Sequence, residues 1–195
     1  VDGAKNTSIE DLINANLPDI SVVSAIKKEK KVDLSSLIEE DSSIKIIKAS
    51  DPEGLEVIRH TCAHVFGHAL KQIYPNAKMV IGPTIDNVFY YDIYNAESIS
   101  EKDLKSIESL MKKLSKKNYK IQRDVVTRKK AIDVFKKRKE DFKLRLIDDI
   151  PDDEIIALYY HEEYIDMCRG PHLTSTKHLN FFKLMKVSGS YWRGE

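Results

Sequence analysis

Six histidines occur in the 195 residues, and three of them, His60, His64 and His68, follow one another at intervals of four in HTCAHVFGHAL. On a helix that interval stacks imidazoles on one face, turn above turn. Further along, CRGPH sets Cys168 and His172 four apart as well. Two such pairs can bring four nitrogen and sulfur donors to one point, and three readings stay open. The first is a zinc site of three His and one Cys, whose donor types suit that metal. The second is a metal-free hydrolytic pocket in which a near-neutral imidazole orders or activates water. The third is a set of ordinary helix histidines satisfied by backbone or solvent. Nothing in the sequence lowers a thiol pKa, so Cys168 as a nucleophile is the weaker idea, and Cys62 reads as core.

The elements that must position these residues can be read from periodicity. From Leu55 to Tyr74 the apolar positions Leu55, Ile58, Cys62, Val65, Phe66, Ala69, Leu70 and Ile73 recur at three and four, which predicts a helix with one buried stripe, ended by Pro75. The histidines fall beside that stripe. A turn, IGPTIDN, leads into a predicted strand VFYYDIY (88–94). SISEKDLKSIESLMKKLSKKN (98–118) predicts a second helix, with a capping box at Ser98 and Glu101. Strand-like YKIQRDVVT, a basic helix over about 128–142, then strand-like KLRLI, ALYYH and YIDMC complete an α+β pattern with mostly antiparallel pairing. The first fifty residues hold no Arg, His, Cys or Trp and read as a small α+β module of short elements. DPEG (51–54) marks a boundary, dividing the chain into units 1–50 and 51–195.

Composition narrows the classes. Charged residues make up 32%, and apolar runs such as IIALYY fall far short of the roughly 18 residues a membrane span needs. At 42% hydrophobic residues and a net charge of +1, the chain holds enough apolar surface to fold. The two cysteines lie far apart and no secretory leader opens the sequence, so a reducing, cytoplasmic compartment is expected, with an organelle as the alternative. The near-neutral total hides an asymmetry. Residues 112–143 carry fourteen Lys or Arg against four Asp or Glu, whereas 147–167 hold eight acids and no Lys or Arg. A basic block is either a solvated helix face or a phosphate-contacting surface.

Two long segments, HTCAHVFGHALKQIYPNAKMVIGPTIDNVFYYDI and HEEYIDMCRGPHLTSTKHLNFFKLMKVSGSYWRG, closely resemble the editing domain of threonyl-tRNA synthetases of the bacterial and eukaryotic type. The likeness covers 51–195, and residues 1–50 resemble the ubiquitin-like β-grasp (TGS) domain that precedes it. One departure is Val88, where the family usually has Gly. The paired His and Cys motifs also resemble the editing domain of alanyl-tRNA synthetases, in which they bind zinc. The threonyl branch implies hydrolysis without a metal, so no cofactor is expected for this stretch. ATP and zinc belong to an aminoacylation core that nothing here resembles.

The resemblance implies a second sieve. Threonine and serine differ by one methyl, which a pocket discriminates by only about 10 to 200-fold, so serine is mischarged and its ester must be hydrolysed. Carried over residue by residue, His60 is the base or water-positioning group, and His64 orients its ring or the terminal ribose. Lys143 holds a second water or stabilises developing negative charge. Asp166, two residues before Cys168 on a strand, binds the substrate ammonium. Cys168 and His172 line the serine pocket, and Tyr91 donates a hydroxyl at the rim while Phe89 packs. His68 is expected to be structural. The implied partners are the acceptor end of tRNA(Thr) carrying serine, the rest of a synthetase chain, and a second copy through its core. Lys112, Lys113, Lys116, Lys117, Arg128, Lys129 and Lys130 are the phosphate-contact candidates. Two other readings stand beside this one: a zinc-dependent site of the alanyl kind, and a tRNA-binding appendage with an inactive pocket.

Overall fold

A computed structural model describes residues 6–16, 21–40, 42–94 and 98–189. The resembling tail YWRG, at 191–194, lies outside the described residues.

The chain begins with β1 (Thr7–Ser8) and α1 (Ile9–Asn16), then β2 (Val22–Lys27), β3 (Lys30–Val32), β4 (Leu37–Ile38) and β5 (Ile44–Lys48). Strands β3, β2 and β5 form one antiparallel sheet, and β1 pairs with β4. Lys28 and Glu29, both left-handed at φ 50° and 64°, make the tight turn between β2 and β3. Ile9, Ile13, Val22, Ala25, Leu34 and Ile38 form this unit's own core. Val23 and Ile47 instead face the long helix α2 (Pro52–Ile73) and join the main core.

Helix α2 begins at Asp51, whose carboxylate accepts from Lys48 N at 2.8 Å rather than capping the helix. It ends at Tyr74, before Pro75. Its middle, Thr61 to Leu70, is buried on every face, so the expected single stripe is replaced by a central helix. The stripe's two ends, Leu55 and Ile73, are exposed. Close packing explains Gly67: a Cβ there would lie 2.1 Å from the Tyr164 hydroxyl. Leu70 and Ile107 are wholly buried in this core, each contributing about 1.5–3 kcal/mol by removal from water.

After α2 come β6 (Lys78–Met79), β7 (Thr84–Ile85), β8 (Val88–Phe89) and β9 (Ile93–Tyr94), paired β6 with β9 and β7 with β8. The expected strand 88–94 is therefore two short pieces in different pairings. Tyr90 N to Pro83 O (3.2 Å) and Asp92 N to Ile81 O (2.8 Å) continue the backbone bonding between them, while Tyr91 turns inward. Val88 is exposed and needs no glycine conformation, because the left-handed position of this turn is Asp86, at φ 50°.

Helix α3 (Glu101–Lys116) is capped two residues later than the sequence implied: the Asp103 carboxylate accepts from Ser100 N and Oγ, both at 2.7 Å. Strand β10 (Gln122–Val126) follows, then α4 (Arg128–Lys137) and α5 (Asp141–Asp148). The basic helix thus breaks at 138–140, where Lys139 has φ 56° and Glu140 turns in to accept from Lys71 Nζ at 2.7 Å and Met79 N at 3.2 Å. KLRLI is helical rather than a strand. Lys143 and Ile147, one turn apart, both point inward while Arg145 is exposed; alternation would have buried Arg145 beside them. Strands β11 (Ile156–His161) and β12 (Tyr164–Met167) complete an antiparallel β10-β11-β12 sheet, and a short 3₁₀ turn covers Thr176–His178. The result is a mixed fold of five helices and antiparallel sheets among the described residues. No helix among them is long and apolar enough to cross a membrane. Cys62 and Cys168 are both free thiols.

Candidate active site

Helix α2 and the loop after β12 meet face to face. One ligand atom each from His60, His64, Cys168 and His172 lies within 4.8 Å of the others. The ring centroids of His60 and His172 are 4.2 Å apart, and those of His64 and His172 4.1 Å. His60 is half-buried, whereas His64 and His172 are 4% and 1% exposed, so the site opens on the His60 and Cys168 side.

The hydrogen bonding decides the tautomer of His172. The Thr61 hydroxyl donates its one proton to Val57 O at 2.9 Å, so at 3.1 Å from His172 Nδ1 it accepts. His172 therefore carries its proton on Nδ1, and Nε2 presents a lone pair to Cys168 Sγ at 3.1 Å. The thiol is held protonated: burial first, then the nearby Asp166 charge, pushes it well up. That removes Cys168 as a nucleophile and leaves it a thiol donor to His172. The Cys62 thiol, buried in the core, is pushed up to about 12.

His60 is held neutral. Burial lowers its pKa, an effect that the Asp166 charge and the Pro171 carbonyl within reach of the ring only partly oppose. A proton on the nitrogen that faces the Pro171 carbonyl would leave the other nitrogen free to accept. His64 and His172 are lowered well below the usual histidine range, again by burial first. The 3.9 Å approach of His64 Nε2 to Asp166 Oδ2 is therefore a neutral contact and not an ion pair. His64 Nδ1 is buried with no hydrogen-bond partner among the described residues.

Beneath the imidazoles lies a buried ion pair. Lys143 Nζ, on α5, sits 2.5 Å from Asp166 Oδ1, on β12, with the residues 3% and 1% exposed. Met167 N donates to the same oxygen at 2.7 Å, and the hydroxyls of Tyr164 (3.0 Å) and Tyr91 donate to Oδ2. Lys143 Nζ also donates to Tyr91 Oη at 3.3 Å. Burial raises the Asp166 pKa, but the Lys143 charge and these hydrogen bonds outweigh it, and the net shift is downward. Burial and the Asp166 charge push Tyr91 and Tyr164 up, so both remain hydroxyl donors.

The structure thus brings His60, His64, Cys168 and His172 together, with Lys143, Asp166 and Tyr91 directly below. Tyr91 reaches inward to Asp166 rather than standing at a rim, and Asp166 is already saturated by donors. Phe89 packs, its ring 6.3 Å from that of Phe66. Sequence reasoning missed Thr61, Tyr159, Tyr164 and Asp33. Thr61 had a signal, lying one residue after His60; Asp33, in the turn after β3, had none. His68 bonds Glu163 through Nε2 at 2.7 Å, with Gln72 donating to the same carboxylate. Burial first drops His161 to about 3; its ring packs at a tilt against those of His68 and Tyr164, and neither ring nitrogen has a hydrogen-bond partner among the described residues.

Arg128 leaves the set of phosphate candidates. Its guanidinium donates to Ile147 O, Ile150 O and Pro151 O, tying the end of α5 to the turn that follows it. Lys112 pairs with Glu108 at 2.8 Å, whereas Lys113, Lys116, Lys117, Lys129 and Lys130 are exposed.

The donor set fits zinc. Three imidazoles and one thiol match its tetrahedral preference, Thr61 anchors His172 from behind as an outer-shell partner does, and the unbonded His64 Nδ1 is a buried atom in want of a partner.

Residues 156–192 match the domain family described as the Threonyl and Alanyl tRNA synthetase second additional domain. A threonine–tRNA ligase of Prochlorococcus marinus (strain MIT 9211) is 55% identical over 164 residues, which make up 84% of this chain and 26% of that ligase. The chain therefore spans about a quarter of the length of the relative it matches. The chain is thus a homologue of threonine–tRNA ligases and carries the second additional domain shared by threonyl and alanyl tRNA synthetases.

Proposed function

We propose that this chain is the editing unit of a threonyl-tRNA synthetase and hydrolyses the ester linking serine to tRNA(Thr). The observation that carries the reading is the neutral, half-exposed His60 at the mouth of the His64, Cys168 and His172 cluster, above the buried Lys143 and Asp166 pair. Residues 1–50 act as its β-grasp (TGS) module and 51–195 as the hydrolytic domain.

The terminal adenosine enters from the His60 side. His60, with one N–H given to Pro171, takes a proton from water on its free nitrogen as the water oxygen attacks the ester carbonyl. Lys143 is the nearest buried cation to the developing oxyanion, and its charge lowers that barrier in a low-dielectric site. Collapse of the tetrahedral intermediate breaks the bond to the ribose oxygen, which takes the proton back from His60. The substrate ammonium exchanges with the Tyr91 hydroxyl at Asp166, the fixed negative charge of the site. The tight His64, His172 and Cys168 wall accepts a hydroxymethyl and excludes the extra methyl of threonine. The single-stranded acceptor end runs over Lys113, Lys116, Lys129 and Lys130. The remainder of the synthetase, dimeric through its core, supplies the rest of the tRNA grip.

The test is deacylation of Ser-tRNA(Thr) against Thr-tRNA(Thr) by the 195-residue chain, with His60→Ala and Cys168→Ala. Preferential loss of the seryl ester, abolished in His60→Ala, supports the reading; equal hydrolysis of both esters sinks the sieve, and none of either points to a tRNA-binding appendage. The zinc fit sustains a second reading, in which His60, His64, Cys168 and His172 hold the metal and it supplies Lewis acidity and an activated water. Stoichiometric zinc in purified protein, with activity lost to a chelator, would favour it.

A further inference from the structure

One carboxylate at the site comes from the N-terminal unit. Asp33, in the turn between β3 and β4, is 8% exposed, and its side chain reaches across to the CRGPH loop. Oδ1 accepts from the backbone N–H of His172 at 2.8 Å, and Oδ2 accepts from the Tyr159 hydroxyl at 2.8 Å. Arg123 Nε, 3.6 Å from Oδ2, supplies the opposite charge. Tyr159 is 1% exposed, and its ring centroid lies 4.5 Å from that of His172. Its hydroxyl also occupies the space a Cβ on Gly170 would need, at 1.9 Å, where the backbone is left-handed at φ 69°. Asp33 thus holds the loop twice, at His172 directly and at Gly170 through Tyr159. The loop in turn aims His172 Nε2 at Cys168 and sets the Pro171 carbonyl beside His60.

We propose that Asp33 is a positioning residue of the hydrolytic site, so that the N-terminal unit completes that site and is more than a separate tRNA-gripping module. The proposal rests on the ester-hydrolysis reading above. The chemistry predicts a graded series. Asp33→Ala leaves two buried donors, His172 N–H and Tyr159 O–H, without an acceptor. Asp33→Asn keeps one acceptor oxygen, and the Tyr159 hydroxyl can rotate to accept from the new amide, whereas a backbone N–H cannot. Asn therefore restores part of what Ala removes.

The experiment measures kcat and KM for Ser-tRNA(Thr) hydrolysis by the 195-residue chain with Asp33→Ala, Asp33→Asn, Tyr159→Phe and a control, Ile13→Ala. The control loosens the N-terminal core away from the site. Misplacing a catalytic loop by about 1 Å costs on the order of 100-fold, so kcat should fall at least about 10-fold in Asp33→Ala with KM nearly unchanged. Asp33→Asn and Tyr159→Phe should lie between that variant and wild type, and Ile13→Ala near wild type. Rates within about 2-fold of wild type for both Asp33 variants, or an equal loss in Ile13→Ala, overturn the proposal. Alkylation of Cys168 by iodoacetamide gives a readout independent of the reaction. If the wild-type chain hydrolyses neither ester, the function reading fails by itself. Faster Cys168 alkylation in Asp33→Ala than in Ile13→Ala then still upholds the positioning role, and equal rates refute it.

Discussion

Removing one member of the buried Lys143 and Asp166 pair tests the electrostatics of the site directly. Lys143→Met keeps the straight aliphatic stem and deletes the charge, leaving a carboxylate 1% exposed with Tyr91, Tyr164 and Met167 N as its donors among the described residues. Breaking a buried pair this way costs about 3–5 kcal/mol. Protonation sets a ceiling. Keeping neutral a carboxyl whose ordinary pKa is 3.8 costs about 1.4 kcal/mol per pH unit above that value, or roughly 4 kcal/mol at pH 7 and about 2 at pH 5. In the wild type the folded Asp166 pKa is lowered, so its stabilisation is present above the unfolded value and fades only as pH falls through the folded one. In the variant, with burial unopposed by Lys143, the folded pKa rises. The native state then binds the proton more tightly, and stability falls as pH rises between the two values. Urea unfolding followed by circular dichroism at pH 7 and pH 5 should show a deficit relative to wild type of about 3–4 kcal/mol that shrinks to roughly 2 at the lower pH. Adding Asp166→Asn should recover most of it. A deficit below about 1 kcal/mol, or one equal at both pH values, would refute the claim that Lys143 is what keeps this carboxylate charged.

Hydrolysis should be flat from about pH 7 to 8 and lose half its rate only below 6.5, because burial depresses His60; a midpoint above 6.5 contradicts that. Global stability should fall as pH drops below 6.5, with up to about 1.4 kcal/mol per pH unit from each of His64, His161 and His172. Their folded pKa values are lowered, so the unfolded state gains protons first; an acid titration of the urea midpoint with no slope between pH 6.5 and 5 argues against it. Gly170→Ala should destabilise by about 1–3 kcal/mol or more, from the left-handed backbone and the collision with the Tyr159 hydroxyl, and the Tyr159→Phe background should relieve part of that loss in thermal melts. Charge reversal at Lys129 and Lys130 should weaken tRNA binding and lower its salt slope by roughly 1 per lost contact, whereas Arg128→Gln should cost stability instead; an unchanged slope in the lysine variants removes that face from the tRNA path.

Local rules made much of the scaffold legible. The spacing of Cys62, Val65, Phe66, Ala69 and Leu70 is a helical period whatever surrounds it, Pro75 stops the helix by chemistry alone, and intervals of four put His60 and His64 on one face before any tertiary contact forms. Patterns that depend on which neighbour arrives were misread. KLRLI alternates like a strand, yet becomes α5 because Lys143 must meet Asp166 while Arg145 stays in water. VFYYDIY has strand composition, but the pull of Tyr91 toward Asp166 splits it. The His and Cys motifs determined by sequence alone which donors could converge. Only the tertiary structure decided their state, since burial makes the imidazoles neutral and the thiol protonated, and burial is a property of the whole chain. The same holds for Asp33. A hydrogen bond to His172 across 139 positions leaves no trace in spacing or composition, because the geometry that creates it exists only once both units have folded against each other.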